Sequence, residues 1–587
     1  MSTAAAPALR VSGFGRDELI QRLAVAALVV WLAVTVLLPL AALLSKSFEN
    51  TSGQWVGLDN YIRYFSAADV WGPRIELEWP RIGLDWEIAL PALPRALWNS
   101  LFIAVVTTII VLPLAFVYAY ALTRSRMPMK GIFQAVSLVP ILAPSLLPAI
   151  ALVYLFGNQG IFKSWFPDGG IYGWPGIVIS QCFYCFPHAL MILITALSTA
   201  DQRLYEAADA LGAKRWRIFW TVTLPGARYG VISAGFVVFT LVITDFGIAK
   251  VIGGQFNVLA IDIYKQVIGQ QDFGMGAVVG FILLAPAVFS FAVDRVVQKK
   301  QVALLSARAV PFIPKPRYGR DLALWLWCVG TGGLILAILG MALWAPFIKY
   351  WPYNLDFTLD NFSFSTFDSS GWSPYWVSLK MAAGVAVVGT VVVFLGAYIV
   401  EKGRGFAWGR TIAHFLAMMP LAVPGLVLGL GYIFFFNARD NPLNVIYGTL
   451  TILVVNTVAH FYTVAHLTAV TALKQIDAEF EAVSASLKVP FYVTLKRVTM
   501  PICLPAILDI AIYLFVNAMT TISALIFLYG ADTKPAAVMI VHMDEAGQIQ
   551  AAAAMASLIV ATSAGVKVLH VFLARFLNRR TQAWRRR

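Results

Sequence analysis

Charge is scarce in this chain. Only 13% of its 587 residues are Asp, Glu, Lys or Arg, against 59% hydrophobic ones, too few to solvate the surface of a water-soluble protein of this length. Cysteine is scarcer. Four residues, all in or beside apolar runs, give no disulfide framework. The single CxxC, Cys182 and Cys185 in QCFYCFPH, has flanks that read as membrane interior, which favours packing over redox or metal chemistry. The sequence contains no Gly-Lys dipeptide, so it holds no phosphate-cradling loop of the Walker A kind. Its six histidines form no HExxH or other recognisable metal cluster, which removes the support for a metalloprotease. Met1 to Leu23 carries Arg10, Arg16 and Arg22 and lacks the small-residue cleavage site of a removable leader. The first span, near Ala24 to Leu44, is therefore expected to remain as an anchor.

Long apolar runs are what the chain does have. Beyond 24–44 they lie near 100–122, 132–155, 177–198, 230–251 and 275–293, then near 322–346, 378–399, 411–435, 446–470, 504–529 and 552–574. Each has the roughly 20 residues that a helix needs to cross a bilayer. The fold class is an all-α polytopic membrane protein with about twelve spans, six in each half. A net charge of +14 could suggest nucleic acid, but the bases sit in clusters between apolar runs and not along one face, so no nucleic-acid partner is expected. Arg124, Arg126 and Lys130, then Lys214, Arg215 and Arg217, then Lys299 to Arg320, then Lys402, Arg404 and Arg410, fall on one side with the terminal cluster from Arg579. By the positive-inside rule that side is cytoplasmic, as are both termini. The long loop 45–97, with Glu49, Asp59, Glu76 and Asp85, and the aromatic stretch from Tyr350 to Trp376 face the other compartment.

The halves repeat. WNSLFIAVVTTIIVLPLAFVYAY from Trp98 and WVSLKMAAGVAVVGTVVVFLGAY from Trp376 share Trp, Ser, Leu and the closing Ala-Tyr in register. Pro140 and Pro144 match Pro420 and Pro424, and Leu224-Pro225 matches Met500-Pro501. Two parallel six-helix repeats follow, with a pathway at the pseudo-twofold axis between them. The paired prolines are expected to help their helices bend during gating.

Between two apolar runs lies DQRLYEAADALGAKRWRIFWTVTLP, from Asp201 to Pro225. Asp201 is a plausible N-cap, Ala207 and Ala208 leave a face that another backbone can approach, and Gly212 suits a helix C-terminus. Read from composition alone, this is a basic surface helix. Glu206, Ala207, Ala208, Gly212, Leu224 and Pro225 resemble, in type and spacing, the EAA signature of permease subunits of binding-protein-dependent ABC importers. The resemblance implies the type I importer permease fold. It also implies that 201–213 is a coupling helix, gripped by a groove on a separate ATPase subunit through the glutamate and the small residues. The repeat supplies a second such segment, 477–490, with Glu481 and Ala482. Its glutamate stands one position off the ungapped register and its glycine is missing, so either one residue has been inserted or the contact has shifted.

The resulting organisation is a cytoplasmic tail (1–23), a first permease unit (24–300), a linker (301–321), a second unit (322–577) and a basic tail (578–587). The resemblance also implies the partners: two copies of a cytoplasmic ATPase, which would bind the ATP and Mg, a periplasmic substrate-binding protein, and the lipid of a bacterial inner membrane. This chain would be no enzyme and bind no cofactor. Charged and polar groups inside spans need partners or a purpose. Asp245, with Asn517, Thr520 and Thr521 at the equivalent level of the second half, is the choice for the translocation pathway. Lys567 and His570 are expected to snorkel. The fused arrangement resembles ferric-iron permeases and their relatives for 2-aminoethylphosphonate, thiamine and polyamines. The runs from Thr244 and from Phe515 look most like the 2-aminoethylphosphonate branch. Two contending classes are an ion-coupled secondary transporter, with Asp245 and Asp509 as coupling sites, and a membrane-bound enzyme or scaffold.

Overall fold

In a computed structural model, the residues described are 16–50, 52–66, 95–304, 310, 312–403 and 405–581. The first fifteen residues, most of the expected exterior loop (67–94) and the tail beyond 581 lie outside them. Among the described residues, nine helices are long and apolar enough to cross a membrane, and three further spans are bent pairs, giving up to twelve.

Proline decides where the spans break. Lys130–Leu142 meets Leu147–Phe156 at 99°, and Ala407–Ala422 meets Gly425–Phe436 at 115°. In each, the last turn tightens to a 3-10 helix, and the residue before the second proline, Ala143 or Val423, is extended. The proline ring disfavours a helical conformation in the residue preceding it, so these spans are broken outright where kinks were expected. The third pair, Leu450–His460 and Tyr462–Lys474, bends by 56° at Phe461, whereas its counterpart Trp174–Ser198 is continuous.

Elsewhere proline is absorbed. The five-residue π turns Ala33–Leu37, Phe219–Thr223 and Leu495–Thr499 precede Pro39, Pro225 and Pro501, each of which sits in the first turn of the helix that follows. A proline has no N–H to give the carbonyl four residues back and crowds it; widening the helix by one residue moves that carbonyl aside. Consequently Pro225 does not interrupt its helix. The helix runs unbroken over Arg215–Thr244, and its counterpart over Phe491–Thr520. The expected spans 230–251 and 504–529 are thus too late at both ends, because the apolar residues beyond Thr244 and Thr520 leave the helix.

The first helix of each half lies on the other half. Arg16–Leu32 packs on Ser373–Lys402 and Ala407–Met418, and Leu38–Ser47 packs on Gly425–Phe436; reciprocally, Tyr318–Trp344 packs on Arg95–Arg124, Lys130–Leu138 and Leu147–Phe156. The approach is close: a Cβ on Gly431 would stand 2.6 Å from the Pro39 carbonyl oxygen. Next to it, the hydroxyl of fully buried Tyr432 donates to the Thr35 carbonyl at 2.8 Å, the group that Pro39 leaves without a helical donor.

On the face opposite the basic clusters, each first helix is followed by a small folded-back segment. Leu58-Asp59-Asn60-Tyr61 and Leu359-Asp360-Asn361-Phe362 are a repeat. Asn60 donates to the Ser47 and Glu49 carbonyls, and Asn361 to those of Pro346 and Ile348, at 2.8 to 3.0 Å. The second segment includes the antiparallel pair β1 (Ile348–Tyr350) and β2 (Asn354–Phe357).

Candidate functional site

The stretch from Asp201 folds as its residues dictate. The helix Gln202–Ala210 opens with the Asp201 carboxylate accepting from the Arg203 N–H at 3.1 Å, which satisfies one of the donors a helix start leaves free. It closes at Gly212, φ +67°, with the Ala213 N–H reaching back to the Ala208 carbonyl at 3.0 Å, a Schellman ending. None of its residues is buried. Glu206 and Ala207 are exposed, Ala208 is half-buried, and Leu211 is 87% exposed. Glu206 accepts from the Gln202 side chain at 2.8 Å.

The second segment has the same ends. Asp477 accepts from the Glu479 N–H at 3.1 Å. The helix Ala478–Ser486 stops at Lys488, which takes φ +54° where the first has glycine, and the Val489 N–H returns to Ser484 at 3.0 Å. Cap and turn are equally far apart in both helices, so no residue has been inserted. Glu206 therefore corresponds to Ala482, Ala207 to Val483, Ala208 to Ser484, and Tyr205 to Glu481. Ala482 is exposed. Glu481 turns inward and pairs with Lys402 at 2.5 Å. Phe480, Val483 and Leu487, which are 46%, 58% and 70% exposed, line a groove of about 660 Å³ closed on the other side by Val493 and Val498.

The linker straps the first helix. Val310 accepts from the Gln202 N–H at 2.9 Å, Ile313 donates to the Gln202 side chain at 2.7 Å, and Lys315 stands 3.5 Å from Asp209. Phe312 packs on Tyr205, ring centroids 4.7 Å apart. At the second segment the equivalent tie is Asp17, which accepts from the Phe491 N–H at 3.0 Å.

The two long helices that follow these segments end alike. Asp245 (φ −73°, ψ 133°) and Thr521 (φ −73°, ψ 136°) leave the helix in the same conformation. The loops beyond them meet between the halves: a Cβ on Gly247 would come 3.5 Å from Ile522. Asp245 accepts from the Gln181 amide at 3.1 Å and from the Ile248 N–H at 2.9 Å, which caps the short helix Gly247–Ile252. Asn517 and Thr520 bond back to their own helix, at Tyr513 and Val516. Within each half the broken span approaches the loop after the long helix through one serine and one glycine, in inverted order. A Cβ on Gly247 would lie 2.8 Å from Ser145 Oγ, and one on Gly425 would lie 2.5 Å from Ser523 Oγ.

Further out, the halves are joined by Lys250 and Glu545 at 2.5 Å, with Lys250 4.5 Å over the Tyr264 ring. Burial, aided by the Glu545 charge, pushes the neighbouring Asp544 carboxyl up to about 7 against the opposing pull of Lys250. His570 does not snorkel as expected: it is 7% exposed, with its Nε2 3.1 Å from Asp509. At the corresponding positions of the first half the Ser233 hydroxyl donates to Asp294 at 2.5 Å.

Residues 111–302 match the family described as the binding-protein-dependent transport system inner membrane component. The chain as a whole is similar to the ferric transport system permease protein of Actinobacillus pleuropneumoniae, 29% identical over 79% of this chain and 69% of the relative. A putative ferric transport system permease protein of Haemophilus influenzae is also 29% identical, over 75% and 71%. The molybdenum transport system permease protein of Mycobacterium tuberculosis is 28% identical over 36% of this chain and 83% of its own length. The two ferric relatives align over more residues than either half contains, so the two-unit arrangement is common to them and to this chain.

Proposed function

We propose that the chain is the membrane-spanning subunit of an ATP-driven ABC importer, forming the route for a small solute that a periplasmic binding protein delivers. The observation that carries this reading is the pair of short, capped, solvent-facing helices, Gln202–Ala210 and Ala478–Ser486, on the basic face of a duplicated bundle. Each leads into a helix that ends where the two halves meet, so a partner gripping the short helices moves those ends. The partner is a cytoplasmic ATPase in two copies. One copy takes Glu206, Ala207, Ala208 and Gly212; the other takes Ala482 and the apolar groove beside it. ATP and Mg belong to that partner, and this chain performs no hydrolysis and holds no cofactor. It sits in a bacterial inner membrane with both termini cytoplasmic. Asp245, Asn517, Thr520 and Thr521 are our candidates for the pathway, with Asp245 setting the loop geometry through its cap.

For the cargo, the names of the relatives that span both halves favour ferric ion. The runs from Thr244 and from Phe515 favour 2-aminoethylphosphonate, a zwitterion whose anionic end suits hydroxyls and helix N-termini. An ion-coupled secondary transporter is the weaker reading, because Asp245 is already held by the Gln181 amide and the Ile248 N–H.

Reconstitution in proteoliposomes with the cognate ATPase and binding protein tests the proposal. Uptake should require ATP and both partners, and the ligand that raises the melting temperature of the binding protein identifies the cargo. Uptake driven by an ion gradient in vesicles lacking the ATPase would overturn it.

A further inference from the structure

Each coupling helix has one residue that faces the bundle at the same place, and in each case a cation from the same point of the fold meets it. In the second half this is Glu481 with Lys402, 2.5 Å apart, Lys402 being only 12% exposed. In the first half the corresponding residue is Tyr205, and above its ring lies the guanidinium of Arg124, 5.0 Å from the centroid. Arg124 and Lys402 are the final residues of equivalent helices, Arg95–Arg124 and Ser373–Lys402, and stand equally far beyond the matching Trp98 and Trp376. The two contacts use different chemistry, a cation over an aromatic ring and an ion pair. Shared ancestry of one side-chain pair does not explain that; a requirement for a fastening at this point does.

Arg124 is the more elaborate of the two. It is 2% exposed, donates to the Leu197 carbonyl at 2.7 Å, and also lies 4.1 Å from the Phe312 ring centroid. It thus joins the end of its own helix, the end of Trp174–Ser198, the coupling helix and the linker. A cation at the C-terminal ends of helices is also favoured by their dipoles.

We propose that Arg124 and Lys402 are positioning residues which fasten each coupling helix to its bundle, so that displacement of the short helix is passed to the spans and not lost as local rocking. In the first half the short helix has no buried residue of its own. The linker and the Tyr205 hydroxyl on Thr223 at 3.1 Å also hold it, and the cation ties it to the ends of two other spans. This rests on the importer reading. Its test therefore separates the two.

The measurement is cargo taken up per ATP hydrolysed, in proteoliposomes holding the full complex with ATPase and binding protein. Lys402→Glu should lower that ratio about tenfold, an effect in the range found for contacting charged residues, while ATP hydrolysis continues. Lys402→Glu combined with Glu481→Lys should restore it to within about twofold, since the reversed pair re-forms the contact. In the first half, where no charge is reversed, Tyr205→Ala should lower the ratio and Tyr205→Phe, which keeps the ring, should retain it. Unchanged ratios in Lys402→Glu and Tyr205→Ala, or a reversed pair no better than the single change, overturn the fastening. Absence of ATP-dependent uptake by the unaltered chain overturns the importer reading instead.

Discussion

Tyr432 offers a direct test of how the halves are held together. Its hydroxyl is fully buried and donates to the Thr35 carbonyl at 2.8 Å. Thr35 belongs to the first helix of one half and Tyr432 to a broken span of the other. That carbonyl lacks its helical donor because Pro39 has no N–H. Tyr432→Phe removes one oxygen atom, opens almost no space, and leaves a buried carbonyl without a partner, a loss of about 1 to 3 kcal/mol. The proline and the tyrosine should also be coupled. In a Pro39→Ala background the helix regains an N–H that can reach Thr35, so the further cost of Tyr432→Phe should fall to under about 1 kcal/mol, the net worth of an ordinary hydrogen bond. The assay is thermal unfolding of purified protein in detergent, followed by loss of the monodisperse peak, for the four members of the cycle. Equal losses from Tyr432→Phe with and without the Pro39→Ala change would refute the link between proline and tyrosine. No loss in either background would refute the packing of the first helix on the opposite half.

Four other outcomes follow from the same structure. Gly425→Ala should destabilise by about 1 to 3 kcal/mol through crowding, and Ser523→Gly should recover part of it in the same unfolding assay; independence of the two changes would contradict the inverted serine and glycine contact. Lys488→Gly should strengthen the end of Ala478–Ser486 by about 1 kcal/mol, because an L-residue is strained in the left-handed conformation and glycine is not; slower amide exchange in that helix is the readout, and faster exchange would count against it. Asp245→Asn keeps a side-chain oxygen for the Ile248 N–H and should leave ATP-driven uptake within about threefold, whereas Asp245→Ala loses a cap worth about 1 kcal/mol and should do worse; equal loss in both would make the charge itself essential. Finally, Asp544 has its carboxyl raised to about 7. A carboxyl raised in the folded state favours folding while protonated, so thermal stability should fall as pH climbs from about 4 through 7, and Asp544→Asn should flatten that slope.

Much of this is legible in the residues, and the exceptions are instructive. Asp201 and Gly212 mark a helix because capping is a local matter of side chain and dihedral angle, and both behave as their chemistry suggests. Lys488 hides an identical ending, since an L-residue in the left-handed region gives no sign of it in sequence. Without that ending, Glu481 reads as a displaced partner of Glu206; with both ends fixed it is the counterpart of Tyr205. Hydropathy locates the twelve apolar runs but cannot tell a span from a span broken at Pro144 or Pro424, because transfer energy is blind to direction. It likewise carries the runs past Asp245 and Thr521, where apolar residues continue after the helix has stopped. Leu-Asp-Asn followed by Tyr or Phe is a readable repeat, but it lies in the polar segments, outside the apolar pattern. Which half each first helix joins is beyond the reach of sequence, as periodicity describes one face of a helix and says nothing of who covers it.

That exchange of first helices has a consequence for how such a chain is made. Each half donates an arm that the other clasps, so severing the polypeptide between Leu304 and Tyr318 would remove a covalent thread from two pieces already interlocked. Co-expressed as separate fragments, they should find one another and purify as a single particle. Fusion would then fix a one-to-one stoichiometry between halves that already clasp one another.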